Sequence, residues 1–368
     1  MITSPMPRLH IFAPHRPGRS PSQRYRLEQY LPALEQAGFT TTYAFLWDAA
    51  DDRVLYRRGH LLGKAWILVK GIVRRWKQVR RVRRDDIVLL HREAFMVRGI
   101  FFEKALRRRA AWLIYDLDDA IWRMDVSEGN RNLSWLKDPA KTDRLIAMAD
   151  RVIAGNHYLA DHARPLNAKT TVIPTVIDTS LYREVPSMDN DEVVIGWTGS
   201  HTSAAHLLAA LPMLQEVQRR FADRLSFRVI SDGEPPLPGL RVRYVRWNAA
   251  TEVDDLAPID IGIMPMPDDG WSRGKCGFKG LQYMGMGKAV VLADVGVNAR
   301  IVQHGVNGFL ARTDPDWQEA LGRLINDADL RRRMGAEARR TVEQHWSLHA
   351  WTSTFLRQLS PTDPSQQP

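Results

Sequence analysis

The sequence predicts an α/β chain made of two successive halves, each a doubly wound parallel sheet. Three observations predict it. Short, wholly apolar runs such as 259–266 and 289–292 suit strands buried on both faces. Each half opens with a strand, a turn and a helix, the doubling expected of two Rossmann-like domains. The length of 368 residues also favours more than one hydrophobic core.

The first half opens with a strand at 8–14. The arginine-rich loop HRPGRSPSQRYR follows, and then a helix over 23–37 that Gly38 stops. Further strands are expected at 39–46, 86–91, 111–115 and 151–155. The segment 171–177, carrying Pro174, reads as the link between the halves. The second half restarts at 193–199, with Gly199-Ser200-His201 as its first turn and a helix from Ser203. Strands at 225–230, 242–245, 259–266 and 289–292 complete its sheet, with a helix over 278–286. The charged segment 316–345 reads as a solvated helical face, 346–359 as a last amphipathic helix, and the tail from Ser360 as disordered. The expected domains are 1–177 and 178–345, with 346–359 as a separate final element.

Apolar and charged contents of 44% and 26% are those of a soluble globular protein. One cysteine, Cys276, excludes an internal disulfide framework and fits a reducing compartment. The amino terminus lacks the pattern of a signal peptide, and no run approaches the roughly 20 apolar residues of a membrane span. The net charge is +10, yet 53–84 holds 12 Lys or Arg and no acid, so the remainder carries −2. Within 61–84, Leu62, Ala65, Trp66, Val69, Ile72, Val73, Trp76 and Val79 recur at helical spacing. We expect this stripe to pack largely on its own sheet while the cations, with a tryptophan or two, meet an anionic membrane surface. The same charge would suit nucleic acid, but no recognised nucleic-acid motif accompanies it.

The loop 268–277 and the helix after it carry the clearest chemistry. Lys275 and Lys279 stand at a strand's carboxyl end, beside a helix N-terminus that favours anions. Gly274 and Gly277 permit close backbone approach, and Gln282 shares a helix face with Lys279. A diphosphate is the simplest ligand; ordinary solvated lysines are the plain alternative. In the first half, three carboxylates, Asp116, Asp118 and Asp119, end a strand, where unpaired burial would be costly. They could ligate a metal, bind sugar hydroxyls or cap the next helix; no His or Cys is spaced to complete a metal set, which leaves capping as the main rival to sugar binding.

Residues 275–310 resemble the donor-site signature of family 4-type glycosyltransferases, enzymes with the two-domain GT-B fold. The motifs are Leu281-Gln282-Tyr283-Met284, Ala289-Val290-Val291, Gly296-Val297-Asn298, and the run from His304 through Gly305, Asn307 and Gly308 to Leu310. Ile173-Pro174-Thr175-Val176-Ile177-Asp178 resembles the family's interdomain link, and Tyr115 to Ile121 resembles a motif in a subset of it. The family's pair of glutamates is replaced by Gly274 and Gln282. The resemblance implies two Rossmann-like domains facing across a cleft, with a last helix crossing back to the first. It implies nucleotide-sugar transfer without a metal or other cofactor, and retention at the anomeric carbon. Donor binding would fall to Gly18, Arg24, Arg26, Gly199, Ser200, Lys275, Gly277, Phe278, Lys279 and Gln282. Catalysis would fall to Lys275, Lys279 and the group Asp116, Asp118 and Asp119, which would face the acceptor. The acceptor expected is a lipid-linked or cell-surface glycan intermediate, and the place a cytoplasmic one, at the inner membrane face. An inactive sugar-nucleotide-binding protein is the second reading and a nucleic-acid-binding protein the third.

Overall fold

The computed structural model of the chain describes residues 8–55, 59–123, 138–185, 192–200 and 203–360. They form two compact units divided after Pro174, the first taking back the residues from Trp351 on.

The first unit begins with β1 (Arg8–Phe12), α1 (Pro21–Arg26), α2 (Leu31–Gln36), β2 (Thr40–Ala44), α3 (Ala49–Leu55) and α4 (Leu61–Arg81). It continues with β3 (Ile87–His91), α5 (Phe101–Arg109), β4 (Trp112–Leu117), α6 (Ala140–Met148), β5 (Arg151–Ala154), α7 (His157–Ala163) and β6 (Thr170–Val172). The six strands pair in the order β2-β1-β3-β4-β5-β6, all parallel. The helix expected over 23–37 is instead broken between α1 and α2. Pro32 lacks the N–H a continuous helix would need and takes a first-turn position of α2.

The second unit starts with β7 (Val193–Gly199), α8 (Ala204–Ala209), α9 (Leu211–Phe221), β8 (Leu225–Ser231), β9 (Val242–Arg246) and α10 (Glu252–Leu256). Next come β10 (Ile261–Met264), α11 (Phe278–Gly285), β11 (Ala289–Ala293), α12 (Asn298–Ile301), β12 (Phe309–Ala311), α13 (Asp314–Asn326) and α14 (Ala328–His345). Its parallel sheet runs β12-β11-β10-β7-β8-β9. Apolar strands such as β11, buried at every position, make sense because helices cover both faces. Gly262 of β10 lets α11 lie close, since a Cβ there would come within 2.2 Å of the Tyr283 ring. The charged stretch 316–345 resolves into α13 and α14, each with an aspartate or threonine cap.

The last helix, α15 (Leu348–Gln358), ends on the first unit, as expected for a returning helix. Phe355 stacks on Tyr30 with centroids 4.0 Å apart, and Arg151 donates to the carbonyls of Arg357 and Gln358 at 3.0 and 3.1 Å. Of the tail expected to be disordered, the part from 361 lies outside the described residues, as does His201.

One expectation is overturned. The apolar stripe of α4 does not pack on the sheet: Leu62, Ala65, Trp66, Val69, Ile72 and Val73 are exposed. The inward side carries polar groups. Arg75, fully buried, donates to the carbonyls of Ala44 and Ala13 at 2.9 and 3.0 Å. Gln78 and Arg74 donate to the carbonyls of Phe45 and Leu46, and Lys70 pairs with Asp48 and Asp51 at 2.6 and 2.8 Å. The physical reason is a demand at the ends of β1 and β2, where carbonyls turn toward the helix and take side-chain donors; that of Ala44, which already accepts the Ala13 N–H at 3.1 Å, takes Arg75 as a second. Among the described side chains of the helix, those of Ile67, Arg75 and Val79, with Gly71, are buried.

Candidate functional site

In the second unit the loop 268–277 runs from the end of β10 to α11. Its acids are spent locally. Asp268 accepts from Arg273 at 2.7 Å, and Asp269 accepts the Ser272 N–H at 2.7 Å. Gly277 caps α11 with φ +68°, and a Cβ there would lie 2.3 Å from Ile301 Cδ1, so a side chain is excluded by both backbone and packing. Phe278, half-buried, starts the helix. Thr198 N–H donates to Tyr283 Oη at 2.8 Å, which ties α11 to the carboxyl end of β7.

That tie sets Lys279 above Trp197, its Nζ 5.2 Å from the ring centroid, while Lys275 Nζ stands 4.2 Å from the Trp271 centroid. Burial pushes the Lys279 ammonium down to about 8, and the neighbouring Lys275 charge pushes the same way. Among the described residues no carboxylate, carbonyl or hydroxyl accepts from Lys279. A half-buried ammonium without an anion is an unusual expense. Gly199 and Ser200 close β7 beside the same tryptophan: a Cβ on Gly199 would lie 2.6 Å from the Trp197 ring. The Ser272 hydroxyl is buried with no partner among the described residues. Lys275, Lys279, Gly277, Phe278, Gly199 and Ser200 thus gather where β7 and β10 end, and Trp197, Trp271 and Ser272 join them. Those three carry no motif; only their place beside the lysines marks them.

Gln282 is brought elsewhere. It is buried and donates Nε2 to Tyr182 Oη at 3.0 Å, and that hydroxyl donates to Glu252 Oε2 at 3.0 Å. Trp247 Nε1 donates to the other Glu252 oxygen at 2.9 Å. A tyrosine hydroxyl has one proton. Because it is given to Glu252, position 282 must supply a donor, which glutamine has and glutamate lacks. The carboxylate of this group therefore stands at Glu252 rather than at position 282.

In the first unit the strand-end carboxylates are buried, and paired. Asp116 at the end of β4 accepts from Arg26 Nη2 at 2.5 Å and contacts His91 Nδ1 at 2.7 Å. Burial alone would raise this carboxyl; Arg26 and then His91 outweigh it and hold it below its ordinary range. Asp118 is likewise raised by burial and lowered further by Arg92, His91 and Ser22. Arg92 Nε meets Asp118 at 2.6 Å and its Nη2 meets Asp119 at 3.4 Å. The Ser22 hydroxyl donates to Asp118 at 2.5 Å and lies 2.7 Å from His91 Nε2. The expectation that this triplet stays out of the interior is thus corrected: burial is tolerated because every charge has a partner. Capping does not explain Asp118 or Asp119 either, since turns rather than a helix occupy 121–123.

Arg26 is correspondingly turned inward. Only 2% exposed, it also donates to the Ile173 carbonyl, so it is no open cation for a phosphate. Arg24 lies over the Tyr25 ring at 5.0 Å. Gly18, with φ +77°, gives its N–H to Glu28, and Arg16 and Arg19 pair with Asp52. Ser22, His91 and Arg92 are cluster members the sequence did not single out. Arg92 takes the left-handed conformation at φ +58°, a strain that marks positions held for a purpose. Among the described residues no group of His, Cys, Asp and Glu is arranged to hold a metal ion.

Residues 192–327 match the family model for glycosyl transferases group 1. Solved structures with the same fold include the sucrose-phosphate synthase of Thermosynechococcus elongatus, 14% identical, with TM-score 0.71 over 96% of this chain and 99% of that one. Anabaena HepE in complex with UDP and glucose is 15% identical, with TM-score 0.66 over 97% and 100%. A glycosyltransferase from Rickettsia africae is 12% identical, with TM-score 0.65 over 96% and 97%. A search of curated proteins by sequence found no match.

Proposed function

We propose that this chain, a group 1 glycosyltransferase of the GT-B fold, takes a nucleoside-diphosphate sugar as donor and holds its diphosphate at Lys275 and Lys279. The carrying observation is the half-buried ammonium of Lys279, which lacks a counter-anion among the described residues. As the glycosidic bond of the donor breaks, negative charge grows on the departing diphosphate. Fixed ammonium groups aimed at that charge stabilise the transition state more than the ground state. The HepE structures, solved with UDP and with UDP-glucose, support a uridine nucleotide as the first donor to try. Gly277, Gly199 and Ser200 offer backbone close to the phosphates.

The first unit's cluster is assigned to the acceptor. Asp116, locked by Arg26 and His91, acts as a positioning residue. Asp118 and Asp119, shared by the Arg92 guanidinium, receive sugar hydroxyls. The reaction is read as metal-independent and retaining, with a lipid-linked or cell-surface glycan intermediate as acceptor. Incubating the purified full chain with labelled sugar nucleotides and extracted membranes, with and without EDTA, tests this, and NMR of the product's anomeric centre tests retention. Transfer that persists in EDTA and falls with Lys279→Met is the expected result. Nucleotide-sugar binding with no product from any donor would leave an inactive binding protein instead.

A further inference from the structure

Helix α4 turns its apolar row away from its own sheet. Leu62, Trp66, Val69, Ile72 and Val73 are 90%, 69%, 50%, 46% and 50% exposed. Steps of three and four residues align them along about 16 Å of one helix side. Trp76 extends the row, its ring 5.4 Å from that of Phe101, which is itself 67% exposed at the start of α5. Isolated apolar side chains on a surface need no explanation, but a continuous apolar face marks a docking surface.

The charges around it choose the occupant. Lys77, Arg80, Arg81, Arg83 and Arg84 follow the row and are all exposed, and 53–84 contains no acid. A second copy of the chain would set these cations against one another. An anionic bilayer meets both halves of the pattern, since it accepts apolar side chains below its headgroups and attracts cations at them. Tryptophans suit that boundary, where one edge of the ring is wet.

We propose that the outward face of α4, together with Phe101, inserts into the interfacial layer of an anionic lipid bilayer as an already folded element. Free amphipathic segments gain helix on meeting lipid. Here Lys70, Arg74, Arg75 and Gln78 already hold the helix to Asp48, Asp51 and the ends of β1 and β2. Binding therefore proceeds without added helicity. The same contacts withdraw Arg74 and Arg75 from the lipid, leaving Lys77, Arg80 and Arg81 as the membrane-facing cations.

The test uses the full chain and vesicles of phosphatidylcholine alone or with about one third phosphatidylglycerol. Flotation is expected to recover protein with the anionic vesicles, with unchanged far-UV circular dichroism. Val69→Glu with Val73→Glu is expected to weaken that partition about tenfold or more, as is Arg80→Glu with Arg81→Glu. Trp66→Ser repeats the measurement at a more exposed position, should the paired valine variant melt early. Unchanged partition of all three variants overturns the proposal. So does a dimer in sedimentation that ignores vesicles and dissociates on the valine substitutions, which would assign the face to a second copy.

Discussion

Replacing Lys279 with methionine removes an ammonium and keeps the length of the side chain, and two effects of opposite sign follow. Burial and Lys275 lower this lysine from 10.5 to about 8. At about 1.36 kcal/mol per unit, charging it in the folded chain costs up to about 3 kcal/mol. Because the folded value lies below the unfolded one, the cost is fully present below pH 8. It fades as pH rises from 8 toward 10.5 and is gone above. Lys279→Met is therefore expected to stabilise the ligand-free protein at pH 7 by as much as 3 kcal/mol, the gain shrinking to nothing near pH 10.5. The same substitution removes a charge-assisted contact worth about 1.5–3 kcal/mol, so UDP binding weakens about ten- to hundredfold. In the wild type, affinity for UDP should hold steady up to about pH 8 and fall above it, as the free lysine loses its proton. Urea unfolding at several pH values measures the first effect and titration calorimetry with UDP the second. A variant that is less stable than wild type at pH 7, or that binds UDP unchanged, refutes the assignment of Lys279 to a bound anion.

Three further outcomes follow from the geometry. Asp116→Asn strips the buried Arg26 of its counter-charge and should cost about 3–5 kcal/mol in urea unfolding, whereas Asp119→Asn, whose Arg92 contact is 3.4 Å, should cost little and act on transfer. Gln282→Glu confronts Tyr182 with two acceptors and should destabilise by about 1–3 kcal/mol, while the double variant with Glu252→Gln, which restores one donor and one acceptor, should recover most of it. Gly277→Ala forces a Cβ toward Ile301 in a left-handed conformation and should lower the melting temperature and UDP affinity together, where Gly18→Ala, which meets open space, costs only the backbone strain, about 1–2 kcal/mol.

The strand–loop–helix unit at 261–285 was legible because its information is local. Apolar runs of strand length, a glycine at the turn and two lysines without a following acid all lie within one stretch of chain. The first unit's cluster was only half legible. Asp116, Asp118 and Asp119 announce themselves at a strand end, but their partners lie 90 residues away at Arg26 and 25 and 26 away at His91 and Arg92. Nothing in the local pattern says that the triplet is neutralised. The orientation of α4 was illegible for a related reason. Periodicity reports that a helix has two faces and is silent on which one turns inward. That choice was made by the carbonyls of Ala13, Ala44, Phe45 and Leu46, which sequence inspection reads as ordinary strand ends.

The two chemical clusters differ in a way that separates scaffold from site. Arg26, Asp116, His91, Asp118 and Arg92 satisfy one another, so their charges fix side chains in place and leave little field over for a ligand. At the Arg92–Asp118–Asp119 edge one guanidinium serves two carboxylates. Lys279 is the opposite case: its charge is half-buried, pushed toward neutrality, and matched by nothing among the described residues. Folding alone gains nothing from it, since a methionine would fill the same space without the electrostatic cost. An arrangement that is unfavourable in the free chain and becomes favourable when a diphosphate arrives is what binding energy directed at a leaving group requires. The Gln282–Tyr182–Glu252 chain completes the contrast, for there the protons are assigned one by one and the interior is left with no vacant acceptor at the tyrosine.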